Sequence, residues 1–201
     1  MTYLIGLTGN IGTGKSTVMR ILQEFGAEII DADRVAHEVM QPGGKAYLKV
    51  IEAFGDSILQ ADGSFDRKKL GAVVFSHPEK LQQLESITHP AVEEKLVEHL
   101  QTTQSPVVVF EAIKLIEAGL TKLCQEVWVV TSARETQLKR LAETRHMSRA
   151  DAERRLSAQK PQAEMVKAAQ VVIDNSGSLE TLRKTLEAEW ARVQRQLAAQ
   201  R

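Results

Sequence analysis

Five short apolar runs, rich in valine and isoleucine, are separated along the chain by segments in which apolar residues recur at helical spacing. The runs cover residues 3–7, 28–30, 107–110, 127–130 and 171–173. Nearly continuous apolar residues, rather than strict alternation with polar ones, are typical of strands that are covered on both faces, as in a parallel sheet built from β-α-β units. The pattern therefore predicts an α/β fold with a five-stranded parallel sheet flanked by helices.

A long stretch between the second and third runs has no clear strand. Its periodic segments, residues 35–40, 47–54, 68–75 and 81–100, predict helices. The stretch is too long for one crossover, so we interpret it as a helical insertion. At the other end of the chain, leucine, tryptophan and valine recur every three or four residues from Leu179 to Leu197. This spacing predicts an amphipathic helix that packs against the sheet, with Ser178 as its N-cap.

Composition limits the possible classes of protein. With 201 residues the chain can form one compact unit with inserted lobes rather than two independent domains. Lys plus Arg and Asp plus Glu both number 26, so no overall basic field exists to hold a nucleic acid. The single Cys124 excludes an internal disulfide, and neither a leader peptide nor an apolar run of roughly 20 residues is evident. We therefore expect a cytoplasmic protein that binds neither nucleic acid nor membrane.

A glycine-rich loop between the first run and a helical segment is the strongest chemical signal. It comprises Gly9, Asn10, Ile11, Gly12, Thr13, Gly14, Lys15, Ser16 and Thr17. Glycines let successive backbone N–H groups turn toward phosphate oxygens, and the following helix presents its positive dipole end. Lys15 would reach the outer phosphates, and the Ser16 hydroxyl would bind Mg²⁺. An ordinary glycine turn is the alternative, but the full pattern in a strand-to-helix context favours ATP binding by this phosphate loop.

Two carboxylates, Asp31 and Asp33, directly follow the second apolar run. Ligands of open α/β sheets bind at the carboxyl ends of the strands, which predicts that these residues lie near the phosphate loop. A kinase needs a carboxylate that accepts or orients the proton of the attacking hydroxyl. Either aspartate could do this, with Asp33 preferred. The structural alternative is that Asp33 only caps a helix beginning at Arg34.

Residues 131–160 form a second polar constellation. Ser132 and Glu135 have the spacing of a capping box, and Ser148 is placed to open a further helix. Eight basic residues occur from position 134 to position 160. Such a segment suits a mobile lid that closes over transferring phosphates, although a solvated face explains most single arginines equally well. Arg140 is the exception, because it shares a helix face with Gln137 and Thr144 rather than with an acidic partner.

Two further sites are ambiguous from the residues alone. Pro90 should kink or restart the helix around it, which would expose His89 to a cleft or place it at a helix end. A structural histidine is the alternative. Asn175 follows the fifth run and could line an adenine pocket, although a plain turn is equally compatible. The histidines have no metal-ligand spacing, so no transition-metal site is expected.

Taken together and in this order, these motifs resemble the dephospho-coenzyme A kinase family over essentially the whole chain. The elements that carry the resemblance, besides the phosphate loop, are Ile30-Asp31-Ala32-Asp33, Arg67-x-x-Leu70, Thr88-His89-Pro90, Gln137-x-x-Arg140, Ala158-Gln159 and Ile173-Asp174-Asn175. The phosphate loop alone is shared by many families, whereas the combination is specific. Two positions depart from the family pattern: Ile113-Lys114 stands where Pro-Leu is usual, and Gln170 stands where an aspartate is frequent.

The resemblance implies a P-loop kinase fold with three parts. Residues 1–35, 101–133 and 161–201 would form the nucleotide-binding core, residues 36–100 a helical lobe for the acceptor, and residues 134–160 a helical lid. Asp33 would face the ribose 3′-hydroxyl, and Lys15 and Arg140 would act on the phosphates. Asn175 would approach the adenine of ATP. Thr8, Arg67 and His89 would belong, with Asp33, to the acceptor side.

The function expected from this resemblance is ATP- and Mg²⁺-dependent phosphorylation of dephospho-coenzyme A to coenzyme A, by a monomer or weak homo-oligomer. The nearest alternative is a nucleoside or nucleotide kinase of the same fold. More distant alternatives are a nucleotide-dependent regulatory switch and a P-loop protein without catalytic activity. The sequence contains no Asn-Lys-x-Asp segment that would read guanine, and two aspartates beside the loop suit transfer to an acceptor better than slow hydrolysis.

Overall fold

A five-stranded sheet forms the centre of the protein in a computed structural model that describes residues 2–199. Its strands are β1 (Tyr3–Thr8), β2 (Glu28–Asp31), β3 (Val107–Glu111), β4 (Glu126–Thr131) and β5 (Val171–Asp174). The strand order is β2-β3-β1-β4-β5, and β1 pairs in parallel with both β3 and β4. Each predicted apolar run lies in one strand, and the α/β fold class with a parallel P-loop kinase sheet is confirmed.

Helices follow or separate the strands. They are α1 (Lys15–Glu24), α2 (Ala32–Val39), α3 (Tyr47–Phe54), α4 (Arg67–Phe75), α5 (Pro78–Thr102), α6 (Arg134–Arg145), α7 (Arg149–Ser157), α8 (Gln162–Val166) and α9 (Leu179–Ala199), with short 3₁₀ turns at Asp56–Ile58 and Leu120–Leu123. Among the described residues, no helix is both long and apolar enough to cross a membrane.

The chain divides into two compact units. One unit comprises the described parts of residues 1–30 and 104–201. It contains all five strands of the sheet, apart from Asp31, the last residue of β2. The other comprises residues 31–103 and contains α2 to α5, so the helices predicted for the insertion are present. The function of this helical unit, and the separate role of residues 134–160, remain predictions.

The core of the sheet unit lies between the strands and the helices α1 and α9. Ile21 and Leu22 of α1 and Leu186 of α9 are fully buried against the apolar residues of β1 and β4. Burial of such side chains contributes about 1.5–3 kcal/mol each, so this packing anchors both ends of the phosphate loop. The predicted packing of the last helix on the sheet is confirmed. Its N-cap is also confirmed, because the Thr181 N–H donates to the Ser178 hydroxyl over 3.1 Å.

One local prediction was wrong in part and a second was wrong, and in both places tertiary contacts outweighed a local signal. The helix α5 does not restart at Pro90 but continues through it. Burial of Ala91, Val92 and Leu96 on the same helix offsets the cost of an interior proline, which is about 3 kcal/mol. His89 therefore lies inside a helix and does not cap a helix end.

The second error concerns the start of α6. Ser132 and Glu135 do not form a capping box, since the N-cap position belongs to Ala133 and no side chain bonds there. The Ser132 hydroxyl instead donates to the Asn175 carbonyl over 3.2 Å, and Glu135 forms a bidentate ion pair with Arg149. The prediction for α7 is confirmed, because Ser148 accepts a hydrogen bond from the N–H of Asp151.

Candidate active site

The phosphate loop connects the buried strand β1 to the helix α1. Gly14 is the N-cap of α1 and has a φ of 87°, a left-handed conformation that L side chains rarely adopt. A Cβ at Gly14 would also overlap the side-chain amide of Asn175, so only glycine fits here. The first N–H groups of an α-helix generally lack partners within the helix, and they lie at its positive dipole end. The loop therefore ends in a site suited to an anion.

Lys15 is held at the start of this loop. Its Nζ donates to the carbonyl oxygen of Gly9 over 2.7 Å and lies 3.5 Å from the Oε1 atom of Glu111. Both side chains are close to fully buried, with 12% of Lys15 and 9% of Glu111 exposed. The ammonium is thus placed beside the loop, with a carboxylate from the end of β3 balancing its charge.

Ser16 lies in the first turn of α1, and its side chain is exposed. Its hydroxyl has no protein hydrogen-bond partner within residues 2–199, so it is available to a ligand. Over the same residues, no cluster of three or more His, Cys, Asp or Glu side chains could enclose a metal ion. A cation at this loop would consequently need oxygen ligands from a bound nucleotide in addition to the serine.

Arg140 of α6 and Asn175 after β5 meet at one backbone carbonyl of the loop. The Nδ2 of Asn175 donates to the Thr13 oxygen over 2.8 Å, and the Nη1 of Arg140 donates to the same oxygen over 3.2 Å. The Nη2 of Arg140 also donates to the backbone oxygen of Asn175 over 2.8 Å. The structure therefore brings an arginine from α6 and an asparagine from the edge of the sheet to the same backbone carbonyl of the loop.

The segment that follows α7 is also bonded to the loop. The Asn10 side chain donates to the carbonyl oxygen of Lys160 over 3.1 Å, and the Ile11 N–H donates to the Oε1 of Gln159 over 2.8 Å. The Ile11 side chain packs against a small apolar cluster formed by α6 and α7, whose buried members are Leu138, Leu141, Ala152 and Leu156. The helices predicted as a lid are thus connected to the loop by both polar and apolar contacts.

Thr8, predicted for the acceptor side, is the last residue of β1 and is completely buried. Its hydroxyl donates to the carbonyl oxygen of Ile113 over 3.2 Å. A substrate contact by this side chain would require its surroundings to open, because the hydroxyl is fully buried.

The aspartates after the second run have different environments. Asp31 is the N-cap of α2, and its Oδ1 accepts hydrogen bonds from the N–H groups of Asp33 and Arg34. The alternative in which Asp33 caps a helix is therefore wrong, because the helix already begins at Ala32. The carboxylate of Asp33 is exposed and accepts no hydrogen bond from any residue between 2 and 199. The fold uses the side chain of Asp31 and leaves that of Asp33 available.

The other acceptor candidates lie in the same helical unit as Asp33. Arg67 is the exposed first residue of α4, and Asp66 caps that helix by accepting from the N–H groups of Lys68 and Lys69. His89 is half-buried in the middle of α5. The structure places these residues on separate helices of one unit.

Comparison with known proteins decides between the kinase families that share such a loop. The model of the family described as dephospho-CoA kinase matches residues 3–181. The chain belongs to the dephospho-CoA kinase family.

Individual relatives agree with this assignment. A dephospho-CoA kinase from Carboxydothermus hydrogenoformans is 50% identical over 186 residues, which cover 91% of this chain and 90% of the relative. One from Geobacter sulfurreducens is 46% identical over 192 residues and covers 94% and 98% of the two chains. The solved dephospho-CoA kinase from Campylobacter jejuni is 28% identical, with a TM-score of 0.71 over 96% of this chain and 98% of that one.

The two departures from the family pattern lie at structurally clear positions. Gln170 replaces the frequent aspartate, and it pairs with Val127 through both its backbone N–H, over 2.9 Å, and its side-chain oxygen, over 2.7 Å. The amide thus joins the segment before β5 to β4. Lys114 lies exposed after β3.

Two polar residues at the loop were missed as site residues in the sequence. Glu111 directly follows a buried apolar run, as Asp31 does, and this shared placement is the signal that could have identified it. In the sequence, Gln159 is distinguished only as part of the family pattern. Nothing in its local sequence indicates a bond to Ile11, because that bond joins positions 148 residues apart.

Proposed function

We propose that the protein transfers the γ-phosphoryl group of ATP to the ribose 3′-hydroxyl of dephospho-coenzyme A, giving coenzyme A and ADP. This reaction is the last step of coenzyme A synthesis. The observation that carries the proposal is membership of the dephospho-CoA kinase family over residues 3–181, in a chain whose phosphate loop is complete. A nucleotide kinase of the same fold would have the loop without that membership.

The donor half of the reaction rests on the phosphate loop. In the proposed complex, Lys15 exchanges its bond to the Gly9 carbonyl for the outer phosphate oxygens of ATP. Glu111 keeps the ammonium nearby when no phosphate is bound. Arg140 adds positive charge as the γ-phosphoryl group moves. Because phosphoryl transfer needs little covalent participation by the protein, positioning and charge neutralisation supply most of the catalysis.

The residues present also fit a magnesium ion as cofactor. The exposed Ser16 hydroxyl, which has no protein partner in the described chain, would hold the ion together with phosphate oxygens. When bound, Mg²⁺ neutralises part of the charge on the β- and γ-phosphates.

The acceptor half is assigned to the helical unit. Asp33 is proposed to accept or orient the proton of the 3′-hydroxyl, because its carboxylate has no structural task in the described chain. Dephospho-coenzyme A is proposed to contact Arg67 and His89, within a lobe of residues 36–100, and Thr8 at the end of β1. Residues 134–160 would act as a lid. The loop containing Asn175 is proposed to approach the adenine of ATP.

A coupled assay of ADP release tests the reaction. Purified protein with ATP and Mg²⁺ should release ADP when dephospho-coenzyme A is added, and little ADP with AMP, CMP, dTMP or adenosine as acceptor. Phosphorylation of nucleoside monophosphates without turnover of dephospho-coenzyme A would refute the proposal in favour of a nucleotide kinase. Nucleotide binding with no turnover on any acceptor would indicate a non-catalytic protein.

A pair of isosteric substitutions tests the role of Asp33. Asp33→Asn should lower kcat by roughly 10² to 10⁴, the usual contribution of a positioned acid or base, with no change in Tm. Asp31→Asn is the matched control, because asparagine is also a good N-cap and the fold should be preserved. If Asp31→Asn lost activity and Asp33→Asn did not, the catalytic carboxylate would be Asp31.

A further inference from the structure

Asn175 has its backbone fixed by the sheet and its side chain directed at the phosphate loop. It is the first residue after β5, and its N–H donates to the Thr131 oxygen over 2.8 Å, which prolongs the pairing of β4 with β5. Only 5% of the residue is exposed. Removing the hydrogen-bond partners of a buried side-chain amide costs considerable free energy. The partners that such an amide has in the fold therefore indicate its role.

Asn175 forms hydrogen bonds with the phosphate loop and with the arginine that also bonds to that loop. Its side-chain N–H donates to the Thr13 carbonyl, and its backbone carbonyl accepts hydrogen bonds from Arg140 and Ser132. We propose that Asn175 is a positioning residue, which holds the phosphate loop and Arg140 in one hydrogen-bonded arrangement ready for the phosphates of ATP. The inference rests on the proposed function only in taking ATP as the ligand.

The geometry of the peptide bond explains what this arrangement achieves. In a trans peptide the carbonyl and the following N–H point to opposite sides, so a Thr13 carbonyl held toward Asn175 directs the Gly14 N–H away from it. Within the described chain, the Gly14 N–H has no protein acceptor. Asn175 thereby presents this N–H to a phosphate oxygen, in the manner of loops that cradle phosphates. The missing Cβ of Gly14 permits the close approach that this requires.

Substitution of the side-chain amide should therefore weaken phosphate binding. Asn175→Asp keeps the shape but removes the donor, places a charge against the Thr13 carbonyl and attracts Arg140. Asn175→Ala removes the same donor without adding charge, and it tests the proposal even if the buried carboxylate prevents folding. For either variant the Thr13 carbonyl keeps only Arg140 as a donor, so the Kd of ATP should rise roughly tenfold, the effect of losing one hydrogen bond, and kcat should fall as well.

Nucleotides with different bases separate this role from a contact with adenine. Isothermal titration calorimetry should show the same fold-loss of affinity for ATP and GTP, because the phosphate loop, which Asn175 positions, binds phosphates and not the base. A loss confined to ATP, or affinities equal to those of the unsubstituted protein, would overturn the proposal. These titrations need no acceptor, so they stand even if dephospho-coenzyme A is not the substrate.

A control variant separates positioning from general stability. Ser178 lies in the same loop and caps α9, and within residues 2–199 the hydrogen bonds of its hydroxyl go to Thr181 of that helix. Ser178→Ala should lower Tm through loss of the cap and leave the Kd of ATP unchanged. If Ser178→Ala weakened ATP binding as much as Asn175→Ala does, the effect of Asn175 would be structural and the proposal would be wrong.

Discussion

Neutralising Glu126 tests how strongly the last helix is attached to the sheet that carries the phosphate loop. Glu126 opens β4 with only 8% of its surface exposed, and both of its carboxylate oxygens accept hydrogen bonds from Arg192 of α9, each over 2.6 Å. The indole N–H of Trp128 donates to the same carboxylate over 2.9 Å. Glu126→Gln preserves the shape and an oxygen for the indole, but it removes the charge that Arg192 requires.

The expected loss of stability follows from these contacts. A hydrogen bond to a charged group contributes about 1.5–3 kcal/mol, and Glu126→Gln weakens two of them. Arg192 is 31% exposed and also pairs with Glu189 over 2.7 Å, so water and that second carboxylate recover part of the loss. We therefore expect the free energy of unfolding to fall by about 2–3 kcal/mol, which for a chain of this size lowers Tm by roughly 5–10 °C.

The effect should also depend on pH in a defined direction. Burial alone would raise the pKa of the Glu126 carboxyl, but hydrogen bonds from Arg192, Trp128 and Tyr3 hold that pKa below its ordinary value of 4.5. A carboxyl whose pKa is lower in the folded state stabilises the protein above its unfolded-state pKa, and this stabilisation is lost as the pH falls through the folded-state pKa. The difference between the parent protein and Glu126→Gln should therefore be complete at neutral pH and shrink below the ordinary value of 4.5.

Urea denaturation followed by circular dichroism at neutral and acidic pH measures both effects. Glu187→Gln is the matched control, since it removes a carboxylate of α9 whose ion pair with Arg183 is exposed on both sides. That variant should have nearly the stability of the parent protein. A loss for Glu126→Gln no larger than for Glu187→Gln, or a loss that does not shrink in acid, would refute the assigned role of the Glu126–Arg192 pair.

Two further experiments probe the loop and the half-buried thiol of Cys124. Gly14→Ala should raise the Kd of ATP more than tenfold, because the φ of 87° at this position strains an L residue and the new Cβ overlaps the Asn175 amide. Gly26→Ala is the control: Gly26 has a φ of 103° and open space around its Cβ position, so the substitution should lower the free energy of unfolding without affecting that Kd. Burial raises the pKa of Cys124 from 9.0 to about 12. Iodoacetamide at pH 8 should thus label folded protein roughly 10³-fold more slowly than protein in urea, and equal rates would show that the thiol is accessible.

Features that depend on near neighbours could be predicted from the sequence. Apolar runs identified all five strands, and helical spacing identified the segments that became α2 to α5. Ser148 and Ser178 cap helices as predicted, because a cap bonds to an N–H only three residues away. The phosphate loop was equally visible, since its glycines and Lys15 follow one another in the chain.

Local signals failed where a distant partner was better placed. Ser132 has the spacing of a capping box, yet its hydroxyl bonds to the carbonyl of Asn175, 43 residues away. Pro90 is expected to kink or restart the helix, but α5 does not restart there, and buried neighbours on both sides of the proline keep it continuous. In both places the decisive contacts are tertiary, and the spacing of residues along the chain does not indicate them.

The kind of protein can be inferred from the order of its residues: a parallel α/β fold, a phosphate loop and the motifs of one kinase family. How the side chains around the loop are used depends on the folded arrangement. Glu111 reaches Lys15 and Asn175 reaches Thr13 because the order β3-β1-β4-β5 places the ends of separate strands around one loop. The periodicity of apolar residues indicates which face of a helix or strand is buried. A hydrogen bond between residues 162 positions apart depends instead on strand order and register, which are set when the strands pair into the sheet.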